Sequence, residues 1–335
     1  MNWASLRTWH RPLVVFAAVM VVWAAGSAAG LLLDDRVLMG APIWAKPLKF
    51  ALSFVGYALG LAWMITLLGR ARPRLHRPAW WAGTGFVAAG AVEMVLITGQ
   101  VVRGRRSHFN NATPFDSAVY QGMAFMAVAL WTTTLVIAVL LFRARLADRA
   151  TTWSIRIAAV LTLTGAGLGF LMTRPTAEQR AAALEDPPIT GGHSVGVPDG
   201  GPGLPLTGWS TTGGDLRIPH FVGMHALQLL PLLALALAAL APRFVRLYDE
   251  RVRLRLVLVA GAAYAAVLTL LTWQALRGLP LVHPDGATLG AGAAIVLAGA
   301  LGAVLSLRGG TAPVEEGHGD AGGEVVAGHL GPHRQ

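Results

Sequence analysis

The feature that most constrains this chain is a series of apolar runs, each about 20 residues long, separated by short polar segments. A helix rises about 1.5 Å per residue, so such a run crosses a hydrocarbon core of about 30 Å. Hydrophobic residues make up 54% of the chain and charged residues only 13%. This pattern predicts an all-α fold, a polytopic membrane helix bundle with about eight transmembrane helices. The predicted spans are 12–33, 41–68, 81–102, 117–142, 153–173, 218–241, 255–276 and 286–307.

A four-residue pattern occurs twice with the same internal spacing. Its members are Thr98, Gln100, Arg103 and Gly104, then Thr272, Gln274, Arg277 and Gly278. Both copies close a predicted span, which indicates a tandem pair of four-helix halves, 12–142 and 143–307. Coincidence in a biased composition is the alternative, since only four identities match.

The net charge of +10 does not predict a nucleic-acid partner, because the arginines lie in short clusters between apolar runs. There they set topology. The positive-inside rule places both termini, 1–11 and 308–335, in the cytoplasm, and the loops 103–116 and 174–217 outside the plasma membrane. The tail 308–335 is rich in Gly, His and acidic residues, so we expect it to be disordered. The loop 174–217 is expected to be a lid or disordered.

Three titratable side chains are expected at one depth in the outer half of the membrane: Lys49, Glu93 and His225. The chain has only two lysines, of which Lys46 is expected to snorkel to the headgroups and Lys49 to lie about 12 Å deep. Ions facing lipid would each cost at least a few kcal/mol, so these groups predict a buried polar site. Lys49 and Glu93 are its expected ion pair, with a purely structural pair as the alternative.

Histidines of the second half are the predicted cofactor ligands. His220 and His225 are five residues apart and about 140° apart around a helix, so we expect them to serve different partners. Gln228 shares a face with His225 and is a further candidate for binding substrate, and His283 precedes the eighth span. His225 and His283 are the favoured pair of ligands, with His220 as the alternative mate.

The loop after the third predicted span mixes guanidinium, imidazole, amide and carboxylate groups. Its candidates for binding an anionic substrate are Arg103, Arg105, Arg106, Asn110 and Asp116. Its His108 is a candidate catalytic residue beside Glu93 and Lys49. His108 and Asp116 are also candidate metal ligands.

The tandem plan, with His220 or His225 on the sixth span and His283 before the eighth, resembles haem A synthases. That resemblance implies haem bound by histidines on equivalent helices. The first half departs from the family, because Lys46 and Lys49 stand where a histidine would be expected and the family's Glu-x-x-x-His motif is missing. The chain also resembles uncharacterised bacterial multi-pass proteins with the Arg-Ser-His-Phe-Asn loop seen at 106–110, which implies no function.

The favoured prediction is a haem- or divalent-metal-binding redox or transfer enzyme with a buried polar site facing the outside. A proton-coupled transporter using Lys49, Glu93 and His225 is the first alternative. A metal hydrolase using His108, Asp116 and His220 is the second. The expected partners are the lipid bilayer and a small anionic or lipid substrate. The absence of cysteine excludes disulfides, iron-sulfur clusters and thiol nucleophiles.

Overall fold

The computed structural model describes residues 8–182 and 187–308, and over these ranges the chain is predominantly helical. Its helices are α1 (Arg11–Leu33), α2 (Ala45–Ala71), α3 (Pro73–Val102), α4 (Pro114–Phe142), α5 (Arg149–Met172), α6 (Ala177–Ala182), α7 (Arg217–Leu240), α8 (Glu250–Leu276) and α9 (Gly286–Arg308). All but the short α6 are long and apolar enough to cross a membrane. The predicted all-α bundle with eight spans is therefore confirmed, and the chain is an integral membrane protein. The tail predicted to be disordered lies beyond Arg308, outside the described residues.

Several helices begin earlier than their apolar runs. The third, fifth and seventh spans begin at Pro73, Arg149 and Glu250, several residues before the predicted starts. Hydropathy marks the length inside hydrocarbon, whereas a helix continues through the headgroup layer while its backbone hydrogen bonds are satisfied. Capping then fixes the ends, as where the Asp148 side chain accepts a hydrogen bond from the N–H of Thr151.

We call the end of the bundle that carries loops 34–44, 103–113, 173–216 and 277–285 the histidine end, and the opposite end the arginine end. Two short antiparallel hairpins lie at the histidine end. They pair β1 (Val37–Leu38) with β2 (Ala41–Pro42), and β3 (Ser194–Val195) with β4 (Gly214–Asp215). The first hairpin delays the start of α2 to Ala45, past the predicted 41. The second, together with α6, gives structure to the long loop.

The helices of each half pack in the same order. In the first half each helix packs on the next one, from α1 to α4, and α1 also contacts α3. The second half repeats this order with α5, α7, α8 and α9, and there α5 also contacts α8. The packing order thus recurs in the two halves, and their origin as a tandem pair stays a prediction. The halves meet where α2 contacts α7 and α4 contacts α5. The histidine-end polar residues of α2 and α7 therefore lie near the contact between the two halves.

A pair of glycines brings α5 and α7 into backbone contact. A Cβ atom added at Gly165 would lie 2.4 Å from the Cα atom of Gly223, so neither position has room for a side chain. Small residues of this kind are typical of close helix packing in membranes. One consequence is that His220 of α7 reaches α5, where its Nδ1 lies 2.8 Å from the carbonyl oxygen of Gly165.

Candidate functional site

A buried polar cluster lies at the histidine end between α2, α3 and the loop 103–113. We call Lys46, Glu93, Ser107 and His108 the serine cluster. The Nζ of Lys46 lies 2.5 Å from the Oγ of Ser107 and 3.0 Å from the Nδ1 of His108. The Oγ of Ser107 is itself 3.1 Å from that Nδ1. The other ring nitrogen of His108 lies 3.6 Å from the Oε1 of Glu93.

The loop that carries Ser107 and His108 is held by its own hydrogen bonds. Gly104 ends α3 in the left-handed region, at a φ of 68° that favours glycine. Asn110 donates from its side chain to the carbonyl of Arg106 and accepts from the N–H of Ala112. Asn110 is 5% exposed. The sequence predicts that Asn110 binds substrate, but in the structure its side-chain amide forms hydrogen bonds within the loop.

The charge state of His108 follows from its surroundings. Burial lowers the pKa of His108 well below its ordinary value of 6.5, and the positive charge of Lys46 lowers it further. The ring is therefore neutral at pH 7, with one protonated nitrogen. Because the ammonium of Lys46 can only donate, Nδ1 is the acceptor. This assignment places the ring proton on Nε2, facing Glu93.

Glu93 is 3% exposed, and its second oxygen, Oε2, has no hydrogen-bond partner. An unsatisfied buried carboxylate oxygen costs free energy, so it needs a functional or structural reason. The basic side chain that acts electrostatically on Glu93 is Lys46. Glu93 thus offers an acceptor to a water molecule or ligand that enters the cluster.

A second set of side chains, from the long loop, flanks this cluster. The Nδ1 of His193 and a guanidinium nitrogen of Arg106 each lie 3.2 Å from the Oδ2 of Asp199. Burial lowers the pKa of His193, although Asp199 opposes the shift. Burial would raise the pKa of Asp199, but hydrogen bonds from His193 and from Ser194 hold it well below its usual range.

His193 and His220 both lie close enough to His108 for a positive charge on either ring to act on it. His220 comes from α7 and His193 from the long loop, so the site draws on both halves of the molecule. In the part of the chain that the structure describes, no three His, Asp or Glu side chains form a group able to hold a metal ion. The proposed ligand pair of His108 and Asp116 is not formed.

The predicted ion pair of Lys49 with Glu93 is wrong. The Nζ of Lys49 donates instead to the carbonyl oxygen of Thr207 at 2.7 Å, and Lys46 takes the place beside Glu93. Two helix positions that are three residues apart differ by about 60° around the helix axis and by about 4.5 Å along it. That offset turns Lys46 towards α3 and the loop after it, while Lys49 faces the long loop.

The predicted ligand pair of His225 and His283 is also not found. His225 faces α2, where its Nε2 lies 3.4 Å from the Oγ of Ser53 and its ring stacks on Phe221. His283 is exposed in the loop before α9, which packs on α8. His220 and His225 do serve different partners, as their spacing predicts. Gln228 faces α2 at Gly56, and its buried amide has no partner among the described residues.

The three arginines predicted to clamp an anion are separated. Arg103 pairs with Asp116 at 2.7 Å, Arg106 pairs with Asp199, and Arg105 is exposed. Asp116 is fully buried and also accepts from Gln100 and Thr113, so it has no free oxygen for a substrate or metal. Arg103 and Arg106 are thus each neutralised by a carboxylate of the protein itself.

Sequence reasoning missed Ser107, and it gave Lys46, His193 and Asp199 no role in the site. One signal was available: a hydroxyl and an imidazole at adjacent positions of a loop, in a chain whose two lysines are both at one span entrance. No protein-family model, curated protein or solved structure matches this chain.

Proposed function

We propose that this membrane protein is an acyl transferase or esterase that works at the membrane surface of the histidine end, with Ser107 as its nucleophile. The observation that carries the proposal is the Ser107 hydroxyl, which lies within hydrogen-bond reach of both Lys46 and His108. A nucleophile beside a base that a third group orients is the usual sign of nucleophilic catalysis. Here Glu93 is the third group, on the far nitrogen of His108.

In this mechanism the Oγ of Ser107 attacks the carbonyl carbon of an ester, and its proton moves to the Nδ1 of His108. The Lys46 ammonium donates to the oxygen on which negative charge develops. The C–O bond to the leaving alcohol breaks, and that alcohol takes the proton from His108. Water or a second alcohol then attacks the acyl group on Ser107, and its proton returns through His108 to the Oγ of Ser107.

Glu93 holds the imidazole in the tautomer that accepts at Nδ1, and it stabilises the imidazolium that forms during each step. The chemistry is that of serine hydrolases with the roles of the two ring nitrogens exchanged. His193 carries a similar carboxylate partner in Asp199. It is the candidate for positioning the attacking water or alcohol.

The haem- or metal-binding enzyme predicted from the sequence fits the observed positions less well. It relies on His225 and His283, but His225 faces α2 whereas His283 is exposed in the loop before α9. Among the described residues, His108, His193 and His220 form no chelating group with an acid. A transporter would need a polar path across the membrane. Beyond Gln228, however, α7 carries only apolar side chains as far as Leu240.

Orientation belongs to the same proposal. We propose that the arginine end faces the cytoplasm, because arginine-rich loops are favoured on that side, and that the serine cluster faces the extracytoplasmic side of the plasma membrane.

Labelling with a lipophilic fluorophosphonate tests the proposal. The purified protein should form a covalent adduct, and Ser107→Ala should abolish it while Ser117→Ala, a nearby serine of α4, leaves it unchanged. Retention of full labelling by Ser107→Ala, or failure of the wild-type protein to react, would overturn the assignment.

A further inference from the structure

A groove of about 270 Å³ opens on the side of the bundle between α2, α7 and the long loop. Lys49 forms its polar end, and Leu206, Trp209 and Phe221 contribute apolar walls. Its volume corresponds to about nine water molecules. The groove is therefore large enough for a headgroup but not for whole acyl chains, which would have to lie outside it.

Lys49 brings an unneutralised positive charge to the groove. An ammonium group has three N–H donors, and among the described residues only the carbonyl oxygen of Thr207 accepts from it. The carboxylate that acts on Lys49 is Asp215. Asp215 is bound by Arg217 at 2.6 Å, so these two charges cancel each other. An anionic group in the groove would be attracted to Lys49.

One turn further along α2, Ser53 and His225 add polar atoms to the lining. The Nδ1 of His225 lies 2.9 Å from the carbonyl oxygen of Phe221, so it carries the proton and Nε2 is an acceptor. The hydroxyl of Ser53 lies 3.4 Å from that Nε2. Its oxygen remains able to accept a hydrogen bond from a hydroxylated headgroup.

The rim of the groove is apolar and exposed. Leu206 is 89% exposed, and Leu52 is 57% exposed on the membrane span α2, where an exposed leucine faces lipid. Leu206 also lies in the left-handed region, with φ of 66°, where a leucine is strained. Exposed apolar side chains beside a charged end suit a molecule with an anionic head and hydrocarbon chains.

We infer that this groove binds a lipid with an anionic headgroup, which enters sideways from the leaflet at the histidine end. The further step, that this lipid is the ester substrate of the serine cluster, rests on the proposed function. Lys46 and Lys49 are three residues apart on α2, so they lie within one helical turn of each other although their side chains contact different neighbours. A headgroup at Lys49 would bring the ester region of a lipid within about one helical turn of Ser107.

The test is native mass spectrometry of the purified full-length protein in detergent with equal amounts of phosphatidylglycerol and phosphatidylcholine. The wild-type protein should retain phosphatidylglycerol preferentially. Lys49→Gln should reduce that preference about tenfold, as expected for loss of a hydrogen bond to a charged group, and Lys49→Arg should keep most of it. Leu206→Asp, at an exposed position where folding is not at stake, should also weaken retention. Arg105→Gln removes an exposed cation at the same end outside the groove and should change nothing.

Equal retention of the two lipids by the wild-type protein, or an unchanged preference in Lys49→Gln, would overturn the inference. Displacement of the lipid by millimolar glycerol phosphate would show that the groove takes a soluble anion, and would overturn it too. Ser107→Ala should bind phosphatidylglycerol as the wild type does. Lipid binding without fluorophosphonate labelling would thus defeat only the proposed function, and labelling without lipid preference only the groove.

Discussion

His108 is the residue whose chemistry depends most on its surroundings. In water its ring would be half protonated near pH 6.5, but burial beside Lys46 keeps it neutral well below that value. A neutral ring can accept the proton of Ser107, so the same burial that costs stability in acid makes His108 a base at pH 7.

The burial of His108 lowers the free energy of unfolding at acid pH. The folded-state pKa of His108 lies below its unfolded value of 6.5, and His193 is shifted in the same direction. Below pH 6.5 the unfolded chain therefore binds more protons than the folded one, and the free energy of unfolding falls with decreasing pH. We therefore expect these two histidines to lower the melting temperature as the pH drops below 6.5.

The variant His108→Asn should flatten this fall, and His283→Asn, at an exposed histidine, should leave the profile of the wild type. Thermal unfolding followed by the intrinsic fluorescence of the tryptophans between pH 5 and 8 measures both. A melting temperature that rises on acidification, or an unchanged profile in His108→Asn, would contradict the assigned state of His108.

At the scale of elements, the two copies of the repeated pattern form the same helix end. Gly104 and Gly278 both have positive φ, at 68° and 74°. The residue after each glycine donates its N–H to the carbonyl of the glutamine that begins the turn, Gln100 or Gln274. Such a helix end is recognisable from a sequence, because glycine, the chain direction and the polar flanks all favour it.

The spans were predictable for a similar reason, since their length and apolarity are set by the bilayer. The contacts between side chains within the site were not predictable in this way. Lipid is as apolar as the inside of the bundle, so periodicity gives little indication of which way Lys46 or Lys49 faces. Rotation about the axis of α2 places Lys46 rather than Lys49 beside Glu93, and the apolar pattern does not encode that rotation. His193 reaches the site through a long loop, whose path no periodicity encodes.

Arg103 and Arg277, the arginines of the repeated pattern, are expected to contribute differently to the free energy of unfolding. Arg103 neutralises Asp116, which is fully buried, whereas Arg277 pairs with Asp285, whose side chain is 34% exposed. Arg103→Met should lower the free energy of unfolding by about 3 kcal/mol, because it leaves a buried charge without a partner. Arg277→Met, the matched control, should cost much less, because water screens its pair with Asp285. Equal losses in a denaturant titration would show that Asp116 does not depend on Arg103.

At the scale of the whole molecule, the two halves meet at α2 and α7, and the site and the groove both lie along that contact. The proposed orientation places them on the outside of the cell. Because the chain has no cysteine, single cysteines report position without background. Ser107 is only 5% exposed and so unsuitable as a probe, whereas Arg105 and Arg145 are exposed at opposite ends.

Arg105→Cys should react with an impermeant thiol reagent in intact cells, and Arg145→Cys should react only after lysis. The physical reason is the excess of arginine at the end that carries Arg145. The reverse pattern would place the serine cluster in the cytoplasm.

The central claim is that Lys46, Ser107 and His108 act as one unit, and a double-mutant cycle on the labelling rate of Ser107 tests it most directly. His108→Asn should lower the rate by about a hundredfold or more, the usual contribution of a general base, and Lys46→Met should lower it as well. Residues that act together give effects that do not add. The account predicts that the double variant reacts about as slowly as the slower single variant. Labelling rates that the single substitutions leave unchanged, or two losses that multiply in the double variant, would contradict it.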